Sequence, residues 1–268
     1  HYWSGKHPAA GLFSNPMAGA GVGLDQMSHV AWIFEGGGYD LYRKLYRDVL
    51  KVNVEPLFIQ PMGPDPLGWF KTPINSTADF KKMKYRSPPG ITGEIFKVMG
   101  VAAVAMPGGE IVPAAQRGVI DAAEWIGPFD DEKLGFHKVA KNYYFPGWWE
   151  PGPVIHFFVN KEAWAKLPAD YKAMFEAAAY EANVTMMAEY DHKNPAALRS
   201  LVQQGVKLKR YSAEILDAAY KAAVQLYADE SAKNPAFKKI YDDMLKYQKT
   251  QNQWFSVAEL GMDSFLQQ

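Results

Sequence analysis

Two proline-rich segments, 61–66 and 146–153, interrupt a chain that otherwise alternates short strands with short helices. Proline fixes φ and lacks a backbone donor, so neither segment can continue a helix or a central strand. The pattern predicts strands at 52–60, 85–87, 101–106, 119–124, 142–145 and 154–160, and helices at 25–34, 39–50, 76–83, 92–99 and 109–117. Such alternation is typical of an α/β fold with layered sheets, and two crossing segments favour two lobes around a cleft.

The two ends of the chain differ from this middle part. Residues 1–23 are rich in Gly, Pro and Ala, and they are predicted to be loop. Beyond position 168 the sequence is mainly helical, with a long helix at 169–190 and a break at Asn194 and Pro195. A strand at 206–211 follows, then a helix capped by Ser212 and two further helical segments.

Composition excludes several kinds of function. The chain has 29 basic residues (Lys and Arg) and 29 acidic residues (Asp and Glu). It therefore lacks the excess of basic residues that is typical of nucleic-acid-binding proteins. No cysteine is present, which excludes thiol catalysis, Cys-ligated zinc and disulfides. No apolar run reaches the length of a membrane span.

Motifs for catalysis are also missing from the sequence. It contains no Gly-x-Ser-x-Gly, no phosphate-binding loop and no His-Glu-x-x-His, and no two of its six histidines stand at three- or four-residue spacing. We therefore predict that the chain is not an enzyme.

Four charged residues fall where a cleft would lie. Arg86 ends a short strand and could clamp a carboxylate in two-pronged geometry, although spacing alone leaves an ordinary surface ion pair open. Glu124 ends another strand beside Trp125 and could ligate a hard cation, or could be solvated beside a core tryptophan. Asp65 and Glu150 lie in the two crossing segments, where a solvated loop carboxylate is the alternative.

Several longer motifs carry a family resemblance. They are LGWFK at 67–71, KYR at 84–86, MPGGE at 106–110, RGVIDAAEWIGP at 117–128, KLGF at 133–136, PGWWE at 146–150 and VNKEAW at 159–164. Together the motifs resemble the solute-binding subunits of TRAP transporters, of the DctP type. The greatest similarity is to the branch that binds 2-oxo acids and lactate with the help of a metal ion, and it covers nearly the whole chain.

The resemblance implies a two-lobe periplasmic-binding-protein fold with hinge-connected mixed sheets and long C-terminal helices. It places residues 1–64 and 151–190 in lobe one, and 65–150 and 191–268 in lobe two. The family has a strand–helix–strand region before the Tyr-Trp run, and we expect that this N-terminal part is missing here.

The resemblance also implies roles for particular residues. Arg86 corresponds to the arginine that forms a salt bridge with the ligand carboxylate, and Glu124 and Trp125 to the cation pair, Trp125 acting through its carbonyl. Glu150 falls near a further metal-ligand position. Tyr2 resembles a hydroxyl contact from the other lobe. Apart from the resemblance, the paired tryptophans Trp148 and Trp149 lie in a stiff proline-rich segment and could wall a pocket, or could pack as part of an interlobe loop.

The site departs from the family at Asp65, where an amide usually stands. An extra carboxylate makes a cation site more negative, so we predict Ca²⁺, with Na⁺ as the other possibility.

The expected function is capture of a small 2-oxo or 2-hydroxy monocarboxylic acid, pyruvate- or lactate-like, in the periplasm for the membrane subunits of a transporter. A sensor domain that uses the same cleft is an alternative, and a metal-dependent enzyme acting on 2-oxo acids is a weaker one. Relatives dimerise through a C-terminal helix, so Trp254 and Phe255 are candidate anchors of a homodimer; packing on their own lobe is the other possibility.

Overall fold

The computed structural model describes residues 2–15 and 24–266, without the side chains of Tyr2, Ile59, Gln60 and Pro61. Over this range it contains twelve α-helices. They are α1 Pro8–Ser14, α2 Gln26–Phe34, α3 Gly38–Lys44, α4 Thr77–Lys81, α5 Ile91–Val98, α6 Gly108–Gln116, α7 Pro128–Leu134, α8 Lys161–Lys166, α9 Ala169–Gln203, α10 Ala213–Lys233, α11 Pro235–Val257 and α12 Glu259–Leu266. A π-helical turn at Leu45–Val49 extends α3, and short 3₁₀ turns occur at Tyr2–Gly5 and Phe136–Lys138.

The strands form two sheets. They are β1 Val54–Pro61, β2 Gly68–Phe70, β3 Lys84–Arg86, β4 Ala102–Val104, β5 Ala122–Ala123, β6 Asn142–Tyr144, β7 Val154–Asn160 and β8 Lys207–Lys209. The small sheet pairs β1 with β7 antiparallel. The larger sheet runs β4-β3-β5-β2-β6-β8, with parallel pairs at β3–β4, β3–β5 and β6–β8 and antiparallel pairs on both sides of β2. The predicted α/β fold with mixed sheets is thus observed.

Aromatic side chains dominate the buried core. Trp32, Trp69 and Trp149 are almost completely buried, and one cluster extends from α1 and α2 across the larger sheet to α10 and α11. A second cluster lies on the other side of the larger sheet, around Trp69 and Tyr143. Each large ring buries a large apolar area, so these side chains contribute strongly to the hydrophobic stabilisation of the fold.

Two predictions about the ends of the chain were wrong. Residues 1–23 were expected to be loop, but the described part contains α1, whose first turn is capped by His7 Nδ1 accepting from the Ala9 amide. Ala9, Leu12 and Phe13 are buried in the core, so tertiary packing stabilises a helix too short to form alone.

The expected break at Asn194 and Pro195 does not occur either, because α9 continues through Pro195 to Gln203. The first half of α9 packs on β1, where Asn183 donates to the Phe58 carbonyl at 2.9 Å. Its second half packs on α7, where Asn194 Oδ1 accepts from the Phe129 amide at 3.2 Å. The packing of both halves of α9 outweighs the free-energy penalty of a proline inside the helix. Asn194 accepts a hydrogen bond from α7 instead of capping a new helix.

Candidate functional site

Strand register brings Arg86 beside Glu124. Arg86 ends β3, which pairs in parallel with β4 on one side and β5 on the other, opposite Val104 and Ala123. The chain after β4 offers the Met106 carbonyl, which accepts from Arg86 Nε at 3.2 Å and Nη2 at 3.0 Å. The chain after β5 offers Glu124, whose carboxylate accepts directly from Arg86 Nη1. Both side chains are buried, so the pair is shielded from solvent.

A glycine lets the neighbouring strand approach Glu124. Gly68 begins β2 with φ of +123°, and a Cβ there would lie 2.4 Å from the Ala123 carbonyl oxygen. Only glycine adopts this conformation without strain. The close approach of β2 fixes the segment that carries Asp65 against the end of β5.

The two proline-rich segments meet beside the same sheet edge. The Asp65 amide donates to the Glu150 carbonyl at 3.1 Å, and a Cβ at Gly147 would overlap the Asp65 carbonyl oxygen. Asn15, at the end of α1, donates from Nδ2 to Glu150 Oε1 at 3.1 Å and to the Trp149 carbonyl at 3.2 Å. These contacts hold Asp65 and Glu150 side by side.

The result is a group of three buried carboxylates, Asp65, Glu124 and Glu150, which we call the carboxylate cluster. One oxygen from each lies within 4.8 Å of the others, and each residue is no more than 2 % exposed. Burial holds the pKa of Asp65 well above its ordinary value, and the nearby charge of Glu150 raises it further. Burial also raises the pKa of Glu124, against the opposing effect of Arg86, and raises that of Glu150 to about 7.

The carboxylate cluster suits a hard cation. Three ionised carboxylates this close repel one another strongly in a dry site, and Arg86 supplies one positive charge against them. Asp65 Oδ1 is buried without a hydrogen-bond partner in the described part of the chain. A buried oxygen of this kind costs free energy unless something coordinates it, and Ca²⁺ and Na⁺ are ions that take several oxygen ligands.

The carboxylate cluster lines a cavity of about 470 Å³. Arg86 and Trp125 also line it, and the Arg86 guanidinium is 5.5 Å from the Trp125 ring centre. We call these residues together with the carboxylate cluster the charged side of the cavity. Three further lining residues, Trp3, Tyr46 and Phe158, pack on one another with ring centres 5.2–5.4 Å apart, and we call them the aromatic wall. The lining therefore combines a charged part with an apolar part.

The structure separates some residues that the sequence analysis grouped together. Asp65, Arg86, Glu124, Trp125 and Glu150 all line the cavity. Trp148 does not: it is buried in the core, with its ring 5.4 Å from that of Phe96. The side chain of Tyr2 lies outside the described residues, so its expected contact is not placed.

Sequence reasoning missed Asn15, the Met106 carbonyl and the aromatic wall. Asn15 lies in the stretch interpreted as loop, where no pattern marked it. The aromatic wall comes from three distant parts of the chain, and only the position of Trp3 next to Tyr2 hinted at it.

Within the described residues, no helix combines the length and the apolarity needed to cross a membrane. The cavity lies at the edge of an α/β sheet and combines the carboxylate cluster, a buried arginine and the aromatic wall. Such a cavity is typical of a protein that binds a small anion. The chain belongs to the bacterial extracellular solute-binding proteins of family 7, the DctP family, whose model matches residues 1–234. This family consists of solute-binding proteins of transport systems and not of enzymes, and it confirms the predicted periplasmic location.

Relatives and solved structures agree with this assignment. A monocarboxylate 2-oxoacid-binding periplasmic protein of Nostoc sp. is 40 % identical over 265 residues, 99 % of this chain and 71 % of the relative. A TRAP transporter solute-binding protein from Bordetella bronchiseptica is 43 % identical with a TM-score of 0.92, and the match covers 99 % of this chain and 76 % of that one. That protein was crystallised as a dimer of mixed occupancy, with calcium and picolinate in one active site and an apo site.

A more distant structure confirms the two-lobe fold. A TRAP periplasmic solute-binding protein from Pseudoalteromonas atlantica, with bound sodium and pyruvate, is 29 % identical with a TM-score of 0.91. The match covers 98 % of this chain and 78 % of that one. The ions in these two proteins differ, so the comparison supports a metal cation without fixing its identity.

Proposed function

We propose that this protein captures a 2-oxo or 2-hydroxy monocarboxylic acid together with a metal cation and delivers it to the membrane subunits of a TRAP transporter. One observation carries the proposal: the carboxylate cluster lies beside the buried Arg86 in a single cavity. The acids named for the Nostoc, Bordetella and Pseudoalteromonas proteins are of a kind that such a site can recognise.

The residue types indicate which side chains would bind the cation and which would bind the acid. Asp65, Glu124 and Glu150 would hold the cation, with the Trp125 carbonyl as a further oxygen. Arg86 would bind the ligand carboxylate and fix its orientation, since a guanidinium matches a carboxylate in two-pronged geometry. When bound, the cation supplies positive charge for the acid's carboxylate and adjacent oxygen. If Glu124 binds the cation instead of Arg86, the Arg86 guanidinium becomes available to the ligand carboxylate.

Calcium is the ion we favour. When all three carboxylates are ionised to bind an ion, they leave a net charge of about −2 against the one guanidinium, which a divalent ion neutralises better than Na⁺. Several oxygen ligands of different types also suit Ca²⁺, whose coordination geometry is flexible, more than Mg²⁺, which demands near-ideal octahedral geometry and retains its waters.

Calorimetry on metal-stripped protein tests this function. Pyruvate and lactate are titrated into the protein with Ca²⁺, with Na⁺ and with neither. We expect tight binding only with a cation, and Asp65→Asn should lose most of the preference for Ca²⁺. Equal binding in a chelating buffer would contradict the role of the cation. A Ca²⁺ affinity that Asp65→Asn leaves unchanged would remove Asp65 from the ion's ligands.

The apolar part of the cavity lining favours an acid with an apolar tail. The space beyond the carboxylate cluster is bounded by the aromatic wall, Val154 and Ile155. We infer that the site accepts a 2-oxo acid with a branched or aromatic tail.

Ligand capture requires the cavity to open, and the lobes predicted from the sequence give it two sides. We propose that residues 1–64 with 151–190, and 65–150 with 191–268, move as the two lobes. The small sheet belongs to the first and the larger sheet to the second, in support of this division. Helix α11 belongs to the second lobe in this division, but it packs on α1 and α2 of the first lobe and so connects the two. The carboxylate cluster and the aromatic wall come from opposite lobes, so a ligand touching both would stabilise closure.

A homodimer through the C-terminal helices is a second proposal. Helix α12 buries none of its residues, and Val257, Leu260 and Phe265 are 80 %, 59 % and 69 % exposed. Trp254 is 63 % exposed, and Phe255 is half-buried. Apolar side chains in such a row usually mark a protein interface, and a second copy could cover them reciprocally.

The oligomeric state can be measured by sedimentation. We expect a dimer for the unaltered chain and a monomer for the double variant Leu260→Glu/Phe265→Glu, whereas Tyr220→Glu, on the exposed face of α10, should remain dimeric. A monomer before any substitution would contradict this proposal without affecting the ligand site.

A further inference from the structure

The buried carboxylate of Asp131 is not among the residues that line the cavity, yet it has a hydrogen-bond partner within two to seven residues of each member of the carboxylate cluster. Asp131 lies in α7 and is 0 % exposed. Its Oδ1 accepts from the backbone amides of Ile126 and Gly127, each at 3.1 Å. Its Oδ2 accepts from Trp69 Nε1 at 2.8 Å and from the Tyr143 hydroxyl at 2.7 Å. All four donors come from other parts of the chain or from the turn before α7.

The chain positions of these donors are informative. Ile126 follows Glu124 by two residues, Trp69 follows Asp65 by four, and Tyr143 precedes Glu150 by seven. Asp131 therefore joins the turn after β5 to β2 and β6. The register makes this possible, because β2 pairs with β5 on one side and with β6 on the other, and Trp69 stands opposite both Ala123 and Tyr143.

The aromatic partners are held rigidly. The Trp69 and Tyr143 rings stack with centres 3.9 Å apart, in the second core cluster. Each presents its single polar atom to the same carboxylate oxygen. Two stacked rings and two backbone amides leave Asp131 little freedom to adjust, so loss of one hydrogen bond is transmitted to the others.

We propose that Asp131 is a positioning residue for the cation site: it sets the distances among Asp65, Glu124 and Glu150 without touching the ion. The inference rests on the proposed function, and it assigns to Asp131 a role in ion affinity beyond that of filling a buried position. Groups that orient metal ligands typically change metal affinity by about 10-fold to 100-fold when they are altered.

Two adjacent tyrosines provide the matched test. Tyr143→Phe removes one donor to Asp131 and changes no charge. Tyr144→Phe removes a hydroxyl from the next residue, which is also buried in the core but bonds to the backbone of Ile74 instead. We expect Tyr143→Phe to weaken Ca²⁺ binding about 10-fold, as measured by calorimetry with Ca²⁺ alone on metal-stripped protein. Tyr144→Phe should leave the Ca²⁺ affinity unchanged, although both variants lose stability in urea.

Asp131→Asn should have a larger effect than Tyr143→Phe, because the amide turns a donor towards groups that are themselves donors. The double variant should bind Ca²⁺ no more weakly than Asp131→Asn alone, since Tyr143 would act through Asp131. Equal Ca²⁺ affinity for Tyr143→Phe and the unaltered chain would overturn the positioning role. An unaltered chain that binds no Ca²⁺ would instead contradict the proposed function, and the positioning role with it. Urea unfolding of each metal-free variant shows that it is folded before titration.

Discussion

The two sides of the cavity are built by different means. The carboxylate cluster and Arg86 come from loops and strand ends of the larger sheet, and specific polar contacts hold them in place. The aromatic wall comes from a 3₁₀ turn, a π-helical turn and β7, and its rings are joined only by packing. Charge needs a precise arrangement because an unpaired buried charge is very costly, whereas apolar contact tolerates rearrangement.

This contrast suggests a division of ligand recognition. The charged side would select the carboxylate and the adjacent oxygen that all 2-oxo acids share. The aromatic wall would distinguish one acid from another by the tail. Substitutions on the two sides should therefore have different signatures across a set of acids.

The largest effect is expected at Arg86. In Arg86→Met the acid loses its charged partner, and losing one member of a buried hydrogen-bonded charge pair costs about 2–5 kcal/mol. Affinity for pyruvate at saturating Ca²⁺ should fall by at least about 30-fold, and by a similar factor for every acid tested. Ca²⁺ alone should bind no more weakly than before, because a competing positive charge has left the carboxylate cluster. Calorimetry measures both quantities, and unchanged pyruvate affinity would exclude Arg86 as the clamp.

A smaller and selective effect is expected at the aromatic wall. Phe158→Ala should weaken binding of 4-methyl-2-oxopentanoate about 10-fold, since the branched tail loses an apolar contact worth about 1.5 kcal/mol. Pyruvate has no such tail, so its affinity should be almost unchanged. Phe157→Ala is the matched control, because Phe157 precedes Phe158 on β7 and is 45 % exposed. Equal losses for both acids would mean that the variant perturbs closure and not tail recognition.

Local elements were the part of the fold that the sequence predicted well. Asp25 caps α2 by accepting from the Ser28 amide, and Ser212 caps α10 by accepting from the Ile215 amide, as the residue types indicate. Seven of the eight strands were predicted within a few residues of their observed bounds, and β2 was missed. The failures at α1 and Pro195 share a cause, since packing from distant parts of the chain decides both.

The site could be predicted in outline only. The spacing of Arg86 and Glu124 marked two strand ends, and the family resemblance supplied roles, but neither gave the parallel register of β3 with β5 that joins them. The role of Asp131 could not be predicted either, because it also depends on the strand register. Asp131 stands in an Asp-Asp-Glu run that is typical of the first turn of any helix, and its four donors come from three separate parts of the structure.

The aromatic side of the molecule also differs from the charged side in its response to pH. His156 lines the cavity, and burial lowers its pKa to about 3; its neutral ring contacts the Tyr42 hydroxyl at 2.7 Å and the Phe13 carbonyl at 3.1 Å. His29 packs on Phe58, with a pKa that burial likewise lowers to about 3. Both rings therefore stay uncharged at neutral pH.

The last effect we expect is on stability in acid, and it does not involve the ligand. The folded protein holds His29 neutral down to about pH 3, whereas the unfolded chain protonates it near 6.5. Between these values the unfolded state binds more protons, so the free energy of unfolding falls as pH falls below 6.5, by up to about 1.4 kcal/mol per pH unit for each such histidine. His29→Phe removes one titrating group. Neither ring nitrogen of His29 has a hydrogen-bond partner among the residues described, so the variant should be at least as stable at pH 7.5. Urea unfolding at pH 7.5, 6 and 5 should give a shallower pH dependence for His29→Phe, and also for His29→Gln, which keeps a polar group but cannot titrate. An identical slope in all three proteins would show that His29 is already charged or exposed in the folded state.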